Sequence, residues 1–345
     1  MTFISQFEPY VCEKHAQDVF YQVRSGWVGT GKKVEEFEQA ISDVCKVPFV
    51  AATTSGTTAL IMAIECLELP KGSTILFPAY TFLAGANAAK FMGYKIQLVD
   101  IKEDTLCMDP DKIGITDDVS AIMFVNHNAY VGEDVKKVRK ICDNYKIPMI
   151  EDSSQGFAVK GAGTIGDVAV FSFSVPKVIN SGQGGAIITK REDLFERIKR
   201  IRDHGDNWRK TREHKYLGVN FKFNDILAAY GLAQIEDLDR ICVRRRMIWD
   251  AYEKEILIYR WGLPFTWMVC YKTNNANDVI LRLKENKIQA VKYYKSVNKN
   301  PVYSCSEKFD VAEKVADNLV YLPSSYNLEE KTIKRICDII NDIEK

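Results

Sequence analysis

Ile147-Pro148-Met149-Ile150-Glu151-Asp152-Ser153-Ser154-Gln155-Gly156 and, further along, Phe171-Ser172-Phe173-Ser174-Val175-Pro176-Lys177 are the stretches on which the reading of this chain turns. The apolar run 147–150 ends on two carboxylates. That places Asp152 at the C-terminal edge of a parallel strand, where open α/β sheets take their ligands. A solvated acidic loop is the plainer reading, but Ser153, Ser154, Gln155 and Gly156 bring further polar groups to the same edge. Lys177 directly follows a second apolar run and precedes Gly182-Gln183-Gly184-Gly185, an unusual setting for a surface lysine. An amine held there can be desolvated, which lowers its pKa and makes it a nucleophile.

Working outward, apolar runs at Pro48–Ala52, Thr74–Phe77, Ile96–Asp100, Ala121–Val125 and Pro148–Ile150 read as strands. Buried parallel strands are continuous apolar runs of this kind. Helical stretches lie between several of them: Thr57–Cys66, Thr81–Met92 and Glu133–Tyr145. Before them, Val34, Phe37, Ile41 and Val44 mark one apolar helix face. The expectation is an α/β fold, a mostly parallel sheet flanked by helices. Residues 1–240 would form a large domain and 241–345 a smaller α+β domain. The helical stretch 224–259, with Arg244, Arg245 and Arg246, reads as a solvated linker between them. Met268–Tyr271, a helix around Asn277–Glu285 and a last helix from Leu328 fill the smaller unit.

Composition excludes several classes. Forty-seven basic against 46 acidic side chains leave a net charge of +1, without the basic excess that nucleic acid or anionic lipid calls for. Nine cysteines are widely spaced with no C-x-x-C pair, and four histidines form no metal-ligand pattern, so no metal is expected. Glu8, Glu13, Lys14 and Asp18 interrupt any signal-peptide core, and no run suits a membrane span. A cytoplasmic protein with reduced thiols is the expectation.

Two glycine-containing motifs remain. Gly161-x-Gly163-x-x-Gly166 matches the dinucleotide fingerprint, but a β-rich run (Val168–Phe171) follows where that motif needs a helix, so a turn between strands is the better reading. Ser55-Gly56-Thr57-Thr58 sits between an apolar run and a helix; free N–H groups there suit a phosphate, or Ser55 is a plain N-cap. A phosphate cradle, a desolvated lysine and an acid that can keep a pyridine nitrogen protonated together describe pyridoxal phosphate chemistry. An aromatic from Tyr80-Thr81-Phe82 would stack on the ring.

The chain resembles the DegT/DnrJ/StrS family of sugar-nucleotide aminotransferases, of the aspartate-aminotransferase (type I) fold, over nearly its whole length. Besides the stretches above, the resemblance rests on Gly26-Trp27-Val28-Gly29-Thr30-Gly31, Phe37-Glu38, Pro78-Ala79-Tyr80-Thr81-Phe82, Arg202-x-His204-Gly205, Gly218-x-Asn220 and Leu322-Pro323. It implies that Lys177 is the Schiff-base lysine and proton carrier. Asp152 would pair with the pyridine nitrogen and Gln155 with the ring's 3′-oxygen. Gly56, Thr57 and Ser172 would hold the phosphate. Phe82 would be the stacking aromatic, with Tyr80 as the fallback. Asn220 would reach the phosphate of a neighbouring subunit, implying a homodimer with shared sites. Trp27, Thr30 and His204 are candidate substrate contacts, with a structural hydrogen bond as the alternative for His204.

Two stretches depart from the family's pattern. Asn126-His127-Asn128-Ala129 stands where a His-x-Tyr-Gly is common, and Gln183 replaces a Glu. The resemblance implies transfer of an amino group from L-glutamate to a nucleotide-linked keto sugar. Gly26–Gly31 is similar to relatives that aminate C4 of 4-keto-6-deoxy sugars, giving viosamine- or perosamine-type products. The alternatives are amination at C3, a sugar dehydratase, and a non-catalytic regulator or scaffold. A 3-dehydratase of the fold would carry histidine in place of Lys177, and a scaffold would be expected to have lost Lys177 or Asp152.

Overall fold

The computed structural model describes residues 3–205 and 213–345. Among them, seven strands form one sheet: β1 (Phe49–Thr53), β2 (Thr74–Pro78), β3 (Lys95–Val99), β4 (Val119–Val125), β5 (Met149–Asp152), β6 (Val168–Ser172) and β7 (Gly185–Thr189). Their order is β1-β7-β6-β5-β4-β2-β3. β7 runs antiparallel to both neighbours and the other pairings are parallel. The expected mostly parallel α/β sheet is therefore present.

Helices α1 (Glu13–Arg24), α2 (Lys32–Cys45), α3 (Gly56–Cys66), α4 (Ala84–Phe91), α5 (Glu133–Tyr145) and α6 (Glu192–Arg202) belong to this part of the chain. Strand alternation serves two cores. Ala169 and Phe171 of β6 face Val34, Phe37 and Ile41 of α2 in one cluster. Val168 and Val170 join Ala59, Leu60 and Ala63 of α3 in the other. α4 starts later than the expected Thr81 because residues 79–82 are claimed by the sheet edge. There the Ala79 carbonyl accepts from Val297 N–H at 2.7 Å and from Ser296 Oγ at 3.1 Å.

The Gly161–Gly166 turn wraps one of the protein's own carboxylates. Glu151, fully buried, accepts from the N–H groups of Gly163 (2.8 Å), Ile165 (2.9 Å) and Gly166 (3.0 Å). Gly163 takes a φ of +76°, which glycine adopts without steric cost. The connection from β5 to the parallel β6 thus closes on a carboxylate rather than on a helix.

α7 (Asp225–Glu236), α8 (Leu238–Glu253), α9 (Ala276–Glu285), α10 (Asp310–Asn318) and α11 (Glu330–Glu344) follow, with a separate antiparallel pair, β8 (Val269–Lys272) and β9 (Leu319–Leu322). The expectation of a solvated linker over 224–259 fails at Arg245, which is only 3% exposed. Its guanidinium donates to the carbonyls of Thr266 (3.0 Å) and Trp267. It also lies over the rings of Trp249 (4.7 Å) and Phe265 (5.3 Å). The N-terminal segment runs with this C-terminal part: Ile4 exchanges backbone hydrogen bonds with Lys287 and Gln289.

Glu151→Gln turns one acceptor oxygen into an NH2 group facing a backbone N–H. It should lower stability by about 2–3 kcal/mol, read as a lower urea midpoint with an unchanged slope.

Candidate active site

The strand register brings the loops of interest to one edge. Thr53 of β1 and Ser172 of β6 both pair with Gly185, the first residue of the reversed β7. Asp152 of β5 pairs with Val125 of β4 and Val170 of β6. The C-terminal ends of the parallel strands and the start of β7 therefore line up, and the segments carrying Gly56, Phe82, Asn128, Gln155 and Lys177 leave from there.

At the head of α3, Ser55 is a true N-cap: the Thr58 N–H donates to its Oγ at 3.1 Å, and the Thr58 hydroxyl donates to its carbonyl at 2.8 Å. Both readings of this motif are compatible, because capping by Ser55 leaves the N–H groups of Gly56 and Thr57 without intrahelical partners. A Cβ on Gly56 would lie 2.9 Å from the Cβ of Ser172, so only glycine lets the helix start close on the end of β6. The result brings polar groups of Gly56, Thr57 and Ser172 together at a helix N-terminus, the chemistry a phosphate monoester requires.

Asp152 is buried, and its Oδ1 accepts from Ser154 N–H at 3.0 Å. Gln155 is buried beside it; its Oε1 accepts from the Asn128 N–H, and its Nε2 donates to the Tyr294 hydroxyl at 3.4 Å. Lys177 is half-buried, in a turn closed by its N–H to the Ser174 carbonyl at 3.0 Å. Burial pushes its ammonium pKa down to about 8, with the Asp152 carboxylate acting in the opposite direction. A desolvated amine and a buried carboxylate at the edge of a parallel sheet are the charges a pyridinium aldehyde needs. The residues present fit that cofactor.

Phe82 is 62% exposed, and its ring is 6.1 Å from that of Tyr294. The fallback, Tyr80, is corrected by the structure. Its ring is 1% exposed, 5.0 Å from the His127 ring, and its hydroxyl is 3.4 Å from that of Tyr321. A side chain so enclosed has no free face for a ligand.

Trp27, Thr30, His204 and Asn220 form a second group. Thr30 Oγ1 donates to the Phe223 carbonyl at 2.6 Å, and Asp225 accepts from the N–H groups of Gly31 (2.9 Å) and Val34 (3.0 Å). Trp27 is 61% exposed. His204, at φ 58°, donates its N–H to the Val219 carbonyl at 3.1 Å. Asn220 is exposed and bridges Asp203. These hydrogen bonds tie 26–31 to 223–225 and 203–204 to 219–220, rather than to Lys177 or Asp152.

Sequence reasoning missed three residues. Asn128, in the departure from the family pattern, sits at φ 49°, ψ 31°, a conformation asparagine tolerates. Its Oδ1 accepts from Met268 N–H at 2.8 Å, and its Nδ2 donates to the Met268 carbonyl at 3.1 Å. Tyr294 reaches Gln155, and Trp267 lies beneath Lys177, its ring centroid 4.6 Å from Nζ. The aromatic clusters 265–271 and 293–294 were the available signal, but they read equally well as core.

Residues 9–341 match the DegT/DnrJ/EryC1/StrS aminotransferase family. The GDP-perosamine synthase of Escherichia coli O157:H7 is 28% identical, with 99% of each chain covered. The UDP-4-amino-4,6-dideoxy-N-acetyl-beta-L-altrosamine transaminase of Campylobacter jejuni subsp. jejuni serotype O:23/36 (strain 81-176) is 32% identical over 65% of this chain and 62% of its own. Among solved structures, the aminotransferase TlmJ from Streptoalloteichus hindustanus superposes with a TM-score of 0.92 at 22% identity, covering 99% of this chain and 98% of that one; this likeness concerns the fold. The match across nearly the whole chain settles membership: this protein belongs to the DegT/DnrJ/EryC1/StrS family of sugar aminotransferases, with pyridoxal phosphate as cofactor.

Proposed function

We propose that this protein moves the amino group of L-glutamate to C4 of a nucleotide-linked 4-keto-6-deoxy sugar, leaving 2-oxoglutarate and a 4-amino-4,6-dideoxy sugar of perosamine or viosamine type. The observation that carries the reading is end-to-end similarity to a GDP-perosamine synthase by a chain whose lysine and acid share one sheet edge. The transaminase relative, whose name also specifies a 4-amino-4,6-dideoxy sugar, favours C4 over C3. Retention of Lys177 and Asp152 argues against the dehydratase and scaffold alternatives.

When bound, the cofactor supplies an electron sink for bonds broken at the nitrogen-bearing carbon. Gly56, Thr57 and Ser172 would hold its phosphate, and Phe82 would cover one ring face. Asp152, short of solvent, would keep the ring nitrogen protonated through its charge. Gln155, whose Oε1 is fixed by the Asn128 N–H, would offer its amide to the ring oxygen. In each half Lys177 would take a proton from one carbon and deliver one to another, starting at the glutamate Cα in the first half and ending at the sugar carbon in the second. An amine with a pKa near working pH suits both directions. The exposed Asn220 serves the site of a second copy, so the active form is a homodimer. The large part, 1–240, binds cofactor, and the smaller, 241–345, shapes the sugar pocket. No helix among the described residues is long and apolar enough to cross a membrane. We place the reaction in the cytoplasm.

Incubation with L-glutamate and a panel of nucleotide-linked keto sugars, with the product read by two-dimensional NMR, should place nitrogen on C4; nitrogen on C3 would overturn the positional assignment. Lys177→Ala should lower turnover by more than about a thousandfold while the fold is kept. Below pH 8 the Lys177 amine is mostly charged and above it mostly neutral. Capture of pyridoxal phosphate by the apoprotein, which needs the neutral amine, should therefore rise with pH with a midpoint at about 8. A midpoint near the ordinary lysine value of 10.5 would contradict the burial described for this group.

A further inference from the structure

Trp267 has no part in the roles above, yet it touches the lysine on which they rest. It is buried, in the segment just before β8. Its indole N–H donates to the Pro176 carbonyl at 2.7 Å, and the Lys177 Nζ lies 4.6 Å from its ring centroid. One side chain thus holds the lysine at two places, the peptide just before its Cα and the amine at its end. The ring face attracts an ammonium through its quadrupole, and the single indole donor is fully used by the carbonyl.

The indole is held in turn from behind. The Trp267 N–H donates to the Asn128 carbonyl at 3.4 Å, and the Trp267 carbonyl accepts from Arg245. Arg245 also holds the Thr266 carbonyl at 3.0 Å. Burying a guanidinium is costly unless donors are used, and here Nη2 donates to both of the carbonyls that flank the Trp267 Cα. A free lysine side chain samples many rotamers, so a support that selects one matters for proton transfer.

We propose that Trp267 is a positioning residue for Lys177, its indole face setting the direction of the amine and its N–H fixing the 174–177 turn. The inference rests on the reading that Lys177 carries the proton transfers. It gives the C-terminal part of the chain a hold on the reacting lysine itself.

Trp267→Leu removes both contacts, whereas Trp267→Phe keeps a ring face and loses only the N–H. In the apoprotein, the rate of Lys177 acetylation by acetic anhydride at pH 7 is followed by peptide mass spectrometry, with the exposed Lys46 as reference. Acetylation of Lys177 should rise about fivefold in the Leu variant and less than about twofold in the Phe variant, with Lys46 unchanged. In the holoenzyme, kcat should fall about tenfold in the Leu variant, with KM for both substrates within about twofold, and Phe should restore most of the loss. Trp267→Met replaces the Leu variant if that chain does not fold. Equal acetylation and equal kcat in all variants, or a raised KM with kcat intact, would overturn the proposal. Turnover surviving in Lys177→Ala would instead remove the proposed function, while the acetylation rates would still report whether the indole contacts the amine.

Discussion

The arrangement of the site depends on a buried carboxylate that never meets substrate. Parallel strands need a crossover, and most in this sheet use a helix to provide it. Between β5 and β6 the chain instead folds a glycine-containing loop around Glu151, whose two oxygens take three backbone N–H groups. That interaction ends the loop where β6 can run parallel to β5 and finish beside it. Asp152 at the end of one strand and Ser172 at the end of the other are therefore held at the same edge. Glu151 and Asp152 are adjacent in sequence and point to opposite tasks: the first anchors the crossover, the second stays at the ligand edge.

The second contribution comes from beyond residue 240. Met268 and Asn128 bind one another through backbone and side chain. Asn128 passes this constraint to Gln155. Arg245 is deep in the fold because it has two carbonyls to hold. The C-terminal part is thus wired to the sheet edge by polar contacts that have little slack, since each buried donor or acceptor left open is costly.

Most of the fold was legible in the sequence because parallel strands are buried on both faces and read as apolar runs. The runs at 49–53, 74–78 and 119–125 could be found within a residue or two. The place of the candidate site was legible for a related reason: in such a sheet ligands collect at the strand ends, and Asp152, Lys177 and Gly56 lie at or just beyond them. Arg245 was misread because three consecutive arginines look alike in sequence, and only packing decides that the middle one turns inward. Tyr80 and Phe82 stand two residues apart and are chemically similar; the direction of the loop after β2 buries one and exposes the other. Trp267 and Tyr294 were beyond reach because their partners are distant in sequence, and an aromatic run predicts burial without naming its neighbour.

The capping of α3 has a consequence for the order of events after synthesis. Ser55 and Thr58 satisfy one another across the helix start, so that turn has its shape before any phosphate arrives. Cofactor loading then demands no refolding of the cradle, and the ordering entropy has already been spent during folding.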